Sequence, residues 1–221
     1  SGRSPHNLSH IVKGLPINAP SVLFNGAALF DYTTESYLYS WTLDEKICTN
    51  LIKKSLSAFP HLGIQIFTKE GIYEPNPKQV PDPFEKLETL HKIKMPLEKI
   101  PTPWHKMLFC HEPENIDRLM ETLNLSHLRE TMNIEKSTDF YLEFVPSNKG
   151  KALKKLRELV PLKKIIAIGD FYNDIEMLQE ADISAAPENA VPKIKEIAKI
   201  VVSDNNHSAI ANLIEKIKPL I

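Results

Sequence analysis

The sequence has 221 residues, 42% apolar and 25% charged, with 27 Lys and Arg against 28 Asp and Glu and a net charge of −1. That length supports one large or two modest domains with a full hydrophobic core, and the balanced charge excludes the basic excess of a general nucleic-acid binder. No apolar run approaches the ~18 residues of a membrane span, no apolar signal segment leads the chain, and Cys48 and Cys110 have no ligand-like spacing, so a reduced, cytoplasmic protein is expected.

In chain order, residues 5–14 read as a helix opened by Pro5 and closed at Gly14. Ser21–Phe24 reads as a strand ending in Asn25-Gly26. From about 33 to 145 the texture changes. Helical periodicity covers 44–58 and 113–124, and strand-like alternation covers 63–68 and 138–145. Pro75, Pro77, Pro81, Pro83, Pro96, Pro101 and Pro103 crowd one stretch, which points there to loops or strand edges. The last third alternates cleanly: helix 149–160, strand 165–168, helix 173–180, strand 183–185, helix 190–199, strand 200–202 and helix 208–217. Alternation at this pitch indicates parallel βαβ units. The expected fold class is therefore α/β, a Rossmann-like parallel-sheet core at 1–32 and 146–221, split by an α+β insertion at 33–145.

Chemistry concentrates in IIAIGDFYNDIEML, residues 165–178. In an open parallel sheet, ligands sit outside the carboxyl ends of the strands, and Asp170 directly follows a strand. Asp174 lies four residues on, after Asn173. Two carboxylates with an amide between them suit a hard cation such as Mg²⁺. Taken singly, Asp170 reads as a turn residue and Asp174 as a helix-start carboxylate favoured by the helix dipole. His91, His105, His111 and His127 have no zinc-like HxH or HxxxH spacing.

GDFYNDIEML resembles the fourth motif, GDxxNDxxML, of the haloacid dehalogenase superfamily, and most closely its Cof-like phosphatases with a type IIB cap. SNKGKAL at 147–153 is similar to that branch's third motif, and AAPENA at 185–190 to the turn after its next strand. SDNNHSAIANLIEKI resembles its closing helix, Ser1-Gly2-Arg3 its second motif, and Phe24-Asn25-Gly26-Ala27 the stretch that enters the cap. These matches lie in order along the whole chain.

The resemblance implies a Mg²⁺-dependent phosphatase that works through an aspartyl-phosphate. Asp170 would ligate Mg²⁺ directly and Asp174 would stand behind it, orienting Lys149. Lys149 would neutralise the phosphoryl group, and Ser1 would hydrogen-bond a phosphate oxygen. Asn173 would help bind phosphate or a metal-bound water, while Arg3 and Asn25 would lie near the substrate entrance. Phosphoryl transfer is chiefly positioning and charge stabilisation, so a lysine, a hydroxyl and Mg²⁺ are the expected equipment. Read without the resemblance, Lys149 is a solvated helix-start lysine and Ser1 a frayed end. Residues 33–145 would form the cap, which excludes water and supplies specificity. Trp41, Trp104, His105 and Lys106 are candidate contacts there, although each tryptophan reads first as cap core.

One part is missing. The family's nucleophile sits in a DxDGT-like motif, and no DxD occurs among the 221 residues; Asp31 and Asp82 stand in other contexts. The chain starts where the second motif starts, so a βαβ unit of ~30 residues or more is expected ahead of it. A fragment, a late gene start and a natural truncation each account for this, and a truncated enzyme is the favoured reading because the retained residues are those of a working site. These 221 residues are expected to be inactive and to expose strand edges that lead to poor stability or to an edge-mediated homodimer. The expected ligand is a small phosphorylated metabolite, a sugar phosphate being one candidate, with no nucleic-acid or membrane partner. The alternatives are a non-catalytic, regulatory phosphate-binding protein and, within the same fold, a phosphomutase.

Overall fold

The computed structural model describes residues 1–77, 91–161 and 164–220; Pro81, Asp82 and Pro83 lie outside them. The chain divides by its contacts into two compact units, Ser1–Ser147 and Asn148–Ile221.

The first unit opens with helix α1 (Pro5–Val12), capped by the Ser4 side chain, which accepts from the Asn7 amide at 3.3 Å. Strands β1 (Ser21–Leu23), β2 (Ala28–Asp31) and β3 (Ser36–Ser40) form an antiparallel sheet in that order. A second sheet contains β4 (Gly63–Phe67), β5 (Ile72–Asn76), β6 (Lys92–Lys94), β7 (Lys106–Cys110), β8 (Asn133–Thr138) and β9 (Tyr141–Val145). Its order is β6-β5-β4-β7-β9-β8, antiparallel except for β5 beside β6.

Of these strands, sequence periodicity anticipates β1, β4 and β9; the others were not resolved by it. Pro75 shows why proline density misleads. It lies within β5 where Ile64 pairs with Asn76 and Ile66 with Tyr73, so two residues of β5 face one of β4. Such a bulge frees the position from a ladder hydrogen bond and accepts proline.

Two helices cover one face of this sheet. Helix α2 (Glu45–Ala58) is capped by Asp44 and buries Cys48, Leu51, Ile52 and Ser55, a spacing that keeps one face inward. Helix α3 (Pro113–Leu123) has Pro113 at its first turn and ends at Asn124 in the left-handed region, burying Ile116, Leu119 and Leu123. These side chains share a core with Ile64, Ile66, Met107, Phe109, Leu142, Phe144 and Trp104. The opposite face packs Phe67, Leu108, Cys110, Tyr141 and Val145 against Leu23, Phe24, Ala28 and Phe30. Both faces of the central strands are thus covered, which explains the near-continuous apolar runs KMLFC and YLEFV.

The second unit is the parallel α/β layer that the sequence predicts. Strands β10 (Ile166–Ile168), β11 (Ile183–Pro187) and β12 (Ile200–Val202) pair in parallel, in that order. Helices α4 (Lys149–Leu159), α5 (Ile175–Glu180), α6 (Pro192–Ile197) and α7 (Ala209–Ile217) alternate with the strands. The expected helix at 173–180 begins as a 3-10 turn over Tyr172–Asp174 before α5. Among the described residues, no helix is long and apolar enough to cross a membrane.

Candidate active site

The end of β10 builds the site in the second unit. Gly169 follows the strand because nothing larger fits: a Cβ there would lie 2.5 Å from the Asp174 Cβ and 2.9 Å from its Oδ2. That close approach lets Asp174 reach back over the turn. Its Oδ2 accepts from the amides of Asp170 (3.0 Å) and Phe171 (3.3 Å), and its Oδ1 takes the Lys149 Nζ at 2.6 Å. Asp174 is 5% exposed, so its charge is compensated rather than free for a cation.

Lys149 stands at the first turn of α4, where the helix dipole disfavours a positive charge; the Asp174 carboxylate offsets that. Gly150 allows the packing, since a Cβ there would meet Glu176 Cβ at 2.6 Å and its carbonyl oxygen at 2.7 Å. Asp170 is exposed and its backbone carbonyl accepts from the Val191 amide. Asn173 is half-buried in the 3-10 turn. A cleft of about 320 Å³ opens beside them, with Gly169, Asp170, Asp174, Asn205, Ser208 and Ile210 in its wall. Asn205 and Ser208 carried no assignment from sequence. The SDNNHS run resembles the lead into the family's closing helix, but that resemblance names no role for either residue, and a polar run before an apolar helix also describes an ordinary loop.

The structure brings Asp170, Asn173, Asp174 and Lys149 together. Ser1, Arg3 and Asn25 belong to the other unit. Ser1 and Arg3 are exposed, and the Ser1 Oγ accepts from the Arg3 amide at 3.2 Å. Asn25 is buried, and its Nδ2 donates to Glu143 Oε2 at 2.6 Å. Of the four candidate contacts, Trp104, His105 and Lys106 are buried and Trp41 is half-buried, its ring 4.6 Å from Tyr39. Trp104 lies in the helix-covered core. His105 packs against Phe24 and Tyr37, and burial lowers its pKa. Cys48 and Cys110 are both buried, and burial pushes the Cys48 thiol up to about 12.

Among the described residues, no three His, Cys, Asp or Glu side chains cluster as a metal cage. The donor set of the cleft is one exposed carboxylate, Asp170, beside one already neutralised, Asp174. That fits a hard divalent cation taken by a single protein carboxylate and completed by water and phosphate oxygens.

The profile of the haloacid dehalogenase-like hydrolases matches residues 1–214. The chain belongs to this family. A Streptococcus pyogenes serotype M6 protein, provisionally named a phosphatase, is 32% identical over 205 residues, covering 88% of this chain and 74% of its own length. A haloacid dehalogenase-like hydrolase of Bacteroides thetaiotaomicron superposes with TM-score 0.83 at 23% identity, over 98% of this chain and 84% of its own. A HAD subclass IIB sugar phosphatase superposes with TM-score 0.78 at 17% identity, over 97% of this chain and 82% of its own. Identities this low show a shared fold, and the hydrolase-family α/β architecture is that fold.

Proposed function

We propose that this hydrolase-family chain forms the phosphate- and cation-binding part of a phosphatase for a small phosphorylated metabolite, in the cytoplasm. The observation that carries the reading is the Lys149–Asp174 pair at 2.6 Å, tied to the Asp170 and Phe171 amides. It fixes the Lys149 ammonium against Asp174, which lies in the wall of the cleft together with the exposed Asp170. Fixed charges of this kind are the main requirement of phosphoryl transfer. Mg²⁺ would be held by Asp170 and would neutralise phosphate charge. Lys149 neutralises the phosphoryl oxygens, Asp174 orients Lys149, and Asn173 bonds a phosphate oxygen or a metal-bound water. Ser1 donates to a phosphate oxygen, with Arg3 and Asn25 toward the substrate entrance. The functional division proposed with it is a core of 1–32 and 146–221 and a cap of 33–145. The sugar phosphatase that shares the fold makes sugar phosphates the first substrates to try.

No DxD occurs among these residues, so the proposal assigns them binding and charge neutralisation and no nucleophile. The same observation favours a second reading, a phosphate-binding protein without catalysis. An in-frame DxDGT-like motif upstream of the Ser1 codon favours the enzyme, and a nearby stop codon the binder. The direct test is calorimetric titration with inorganic phosphate in the presence and absence of Mg²⁺, paired with an aryl phosphate assay. The expected outcome is phosphate binding strengthened by Mg²⁺, lost in Lys149→Met, with its Mg²⁺ dependence lost in Asp170→Ala, and no turnover. Turnover that Asp170→Ala abolishes would overturn the binding-only assignment. Unchanged phosphate binding in Lys149→Met would overturn the site.

A further inference from the structure

The first unit holds a buried ion pair, Glu143 with Lys106, that the site described above does not use. Glu143 on β9 and Lys106 on β7 pair at 2.8 Å, with side chains 7% and 5% exposed. Leu108 pairs with Glu143 across the ladder, so Lys106, two residues earlier on β7, is its diagonal neighbour on the same face. Three further groups complete the cluster. Asn25 Nδ2 donates to Glu143 Oε2 (2.6 Å), Ser137 Oγ donates to Oε1 (2.9 Å), and Lys106 Nζ reaches the Gly2 carbonyl at 3.5 Å and lies over the Phe67 ring.

Such a pair needs a reason beyond stability, because replacing a buried ion pair by apolar residues is often neutral or stabilising. The backbone beside it supplies one. Phe24, Asn25 and Gly26 have φ of 50°, 54° and 99°. Successive residues there are strained, and for phenylalanine unusually so, and such a turn persists only where its surroundings over-determine it. This strained turn carries the first residues of the chain. Phe24 N donates to the Arg3 carbonyl at 3.1 Å, Asn25 N to the Ser1 carbonyl at 2.9 Å, and Ser1 N to the Val22 carbonyl at 2.9 Å. Gly2 lies so close to the Asn25 side chain that a Cβ would stand 2.9 Å from its Oδ1.

We infer that Glu143, charge-balanced by Lys106, is a positioning residue: through the Asn25 amide it holds the strained turn, and the turn holds Ser1-Gly2-Arg3 for an incoming phosphate. The inference rests on the proposed phosphate role of Ser1. Glu143 and Lys106 themselves do not touch the ligand. A conservative pair change should then separate positioning from mere packing. Lys106→Met with Glu143→Gln removes both charges but keeps an acceptor for Asn25. Lys106→Met with Glu143→Leu removes the acceptor as well.

The experiment measures inorganic phosphate affinity in the presence of Mg²⁺, the thermal midpoint, and amide exchange of Phe24 and Asn25 for each pair. The glutamine pair is expected to bind phosphate like the parent protein. The leucine pair is expected to bind about tenfold or more weakly, the loss typical of removing a supporting partner. Its Phe24 and Asn25 amides should exchange faster while those of β7 stay protected. Equal affinity and equal exchange in the two pairs would reduce the cluster to packing and overturn the inference. If the leucine pair fails to fold, Asn25→Gly gives the same exchange readout, since glycine accepts φ of 54°; unchanged exchange there overturns the inference too. Failure of the functional reading looks different: phosphate binding is then absent, or indifferent to Ser1→Ala and Lys149→Met, while the exchange measurement still decides what Glu143 holds.

Discussion

At the scale of single residues, the two carboxylates of GDFYND have different duties because their surroundings differ. Asp174 is buried and fully engaged by Lys149 and two amides, whereas Asp170 faces solvent. The spacing alone suggested a shared cation; the geometry gives Asp174 a lysine instead. Gly169 is what allows it. Gly169→Ala is expected to cost about 1–3 kcal/mol, the usual range for overpacking, and to displace Asp174 from the Asp170 amide. Denaturant unfolding followed by far-ultraviolet circular dichroism measures the cost, and a stability equal to the parent's would contradict it. Glu143 and Lys106 illustrate the opposite difficulty. Each stands alone in an apolar strand, and nothing in YLEFV or KMLFC tells that the face they share is covered.

At the scale of elements, helices were legible because caps and periodicity are local signals. Ser4, Asp44 and Asn148 each accept a hydrogen bond from the third residue on, as an N-cap does. Strands were less so. β2, β3, β5, β6, β7 and β8 are set by pairing across the sheet, which no short window contains. Within the parallel sheet, β10 and β12 are the terminal strands, and the edge of β10 lies beside the strand-end carboxylates. Among the described residues no strand pairs with the outer edge of β10, and such an edge is a template for another chain; we therefore expect a dimer that forms through it. Sedimentation over a range of concentrations should show the mass rise toward twice 25.1 kDa. A single monomeric mass throughout, or a dimer unaffected by Ile166→Pro, whose N–H points away from β11, would refute the edge.

At the scale of the whole molecule, acid should destabilise the first unit. Burial lowers the pKa of His105 and also of His111, and in both it is the largest cause. A histidine whose folded pKa is depressed binds fewer protons folded than unfolded. Its contribution is therefore complete above the unfolded value near 6.5 and is lost as pH falls below it. Thermal midpoints should fall from about pH 6.5 downward. His105→Phe should flatten that slope, since phenylalanine keeps the ring packed against Phe24 and Tyr37 and removes the titrating nitrogens; an unchanged slope would remove His105 as its source.

The sequence by itself determined the second unit almost completely. Its strands, helices and strand-end carboxylates follow from periods and turns within a few residues of one another, and its motifs placed it in the right family. Only the tertiary structure decided which polar residues are buried together. The contacts of Asn25 with Glu143 and of Lys149 with Asp174 join positions 118 and 25 residues apart. Burial of a charge depends on what covers it, and that is fixed by packing rather than by neighbours in the chain.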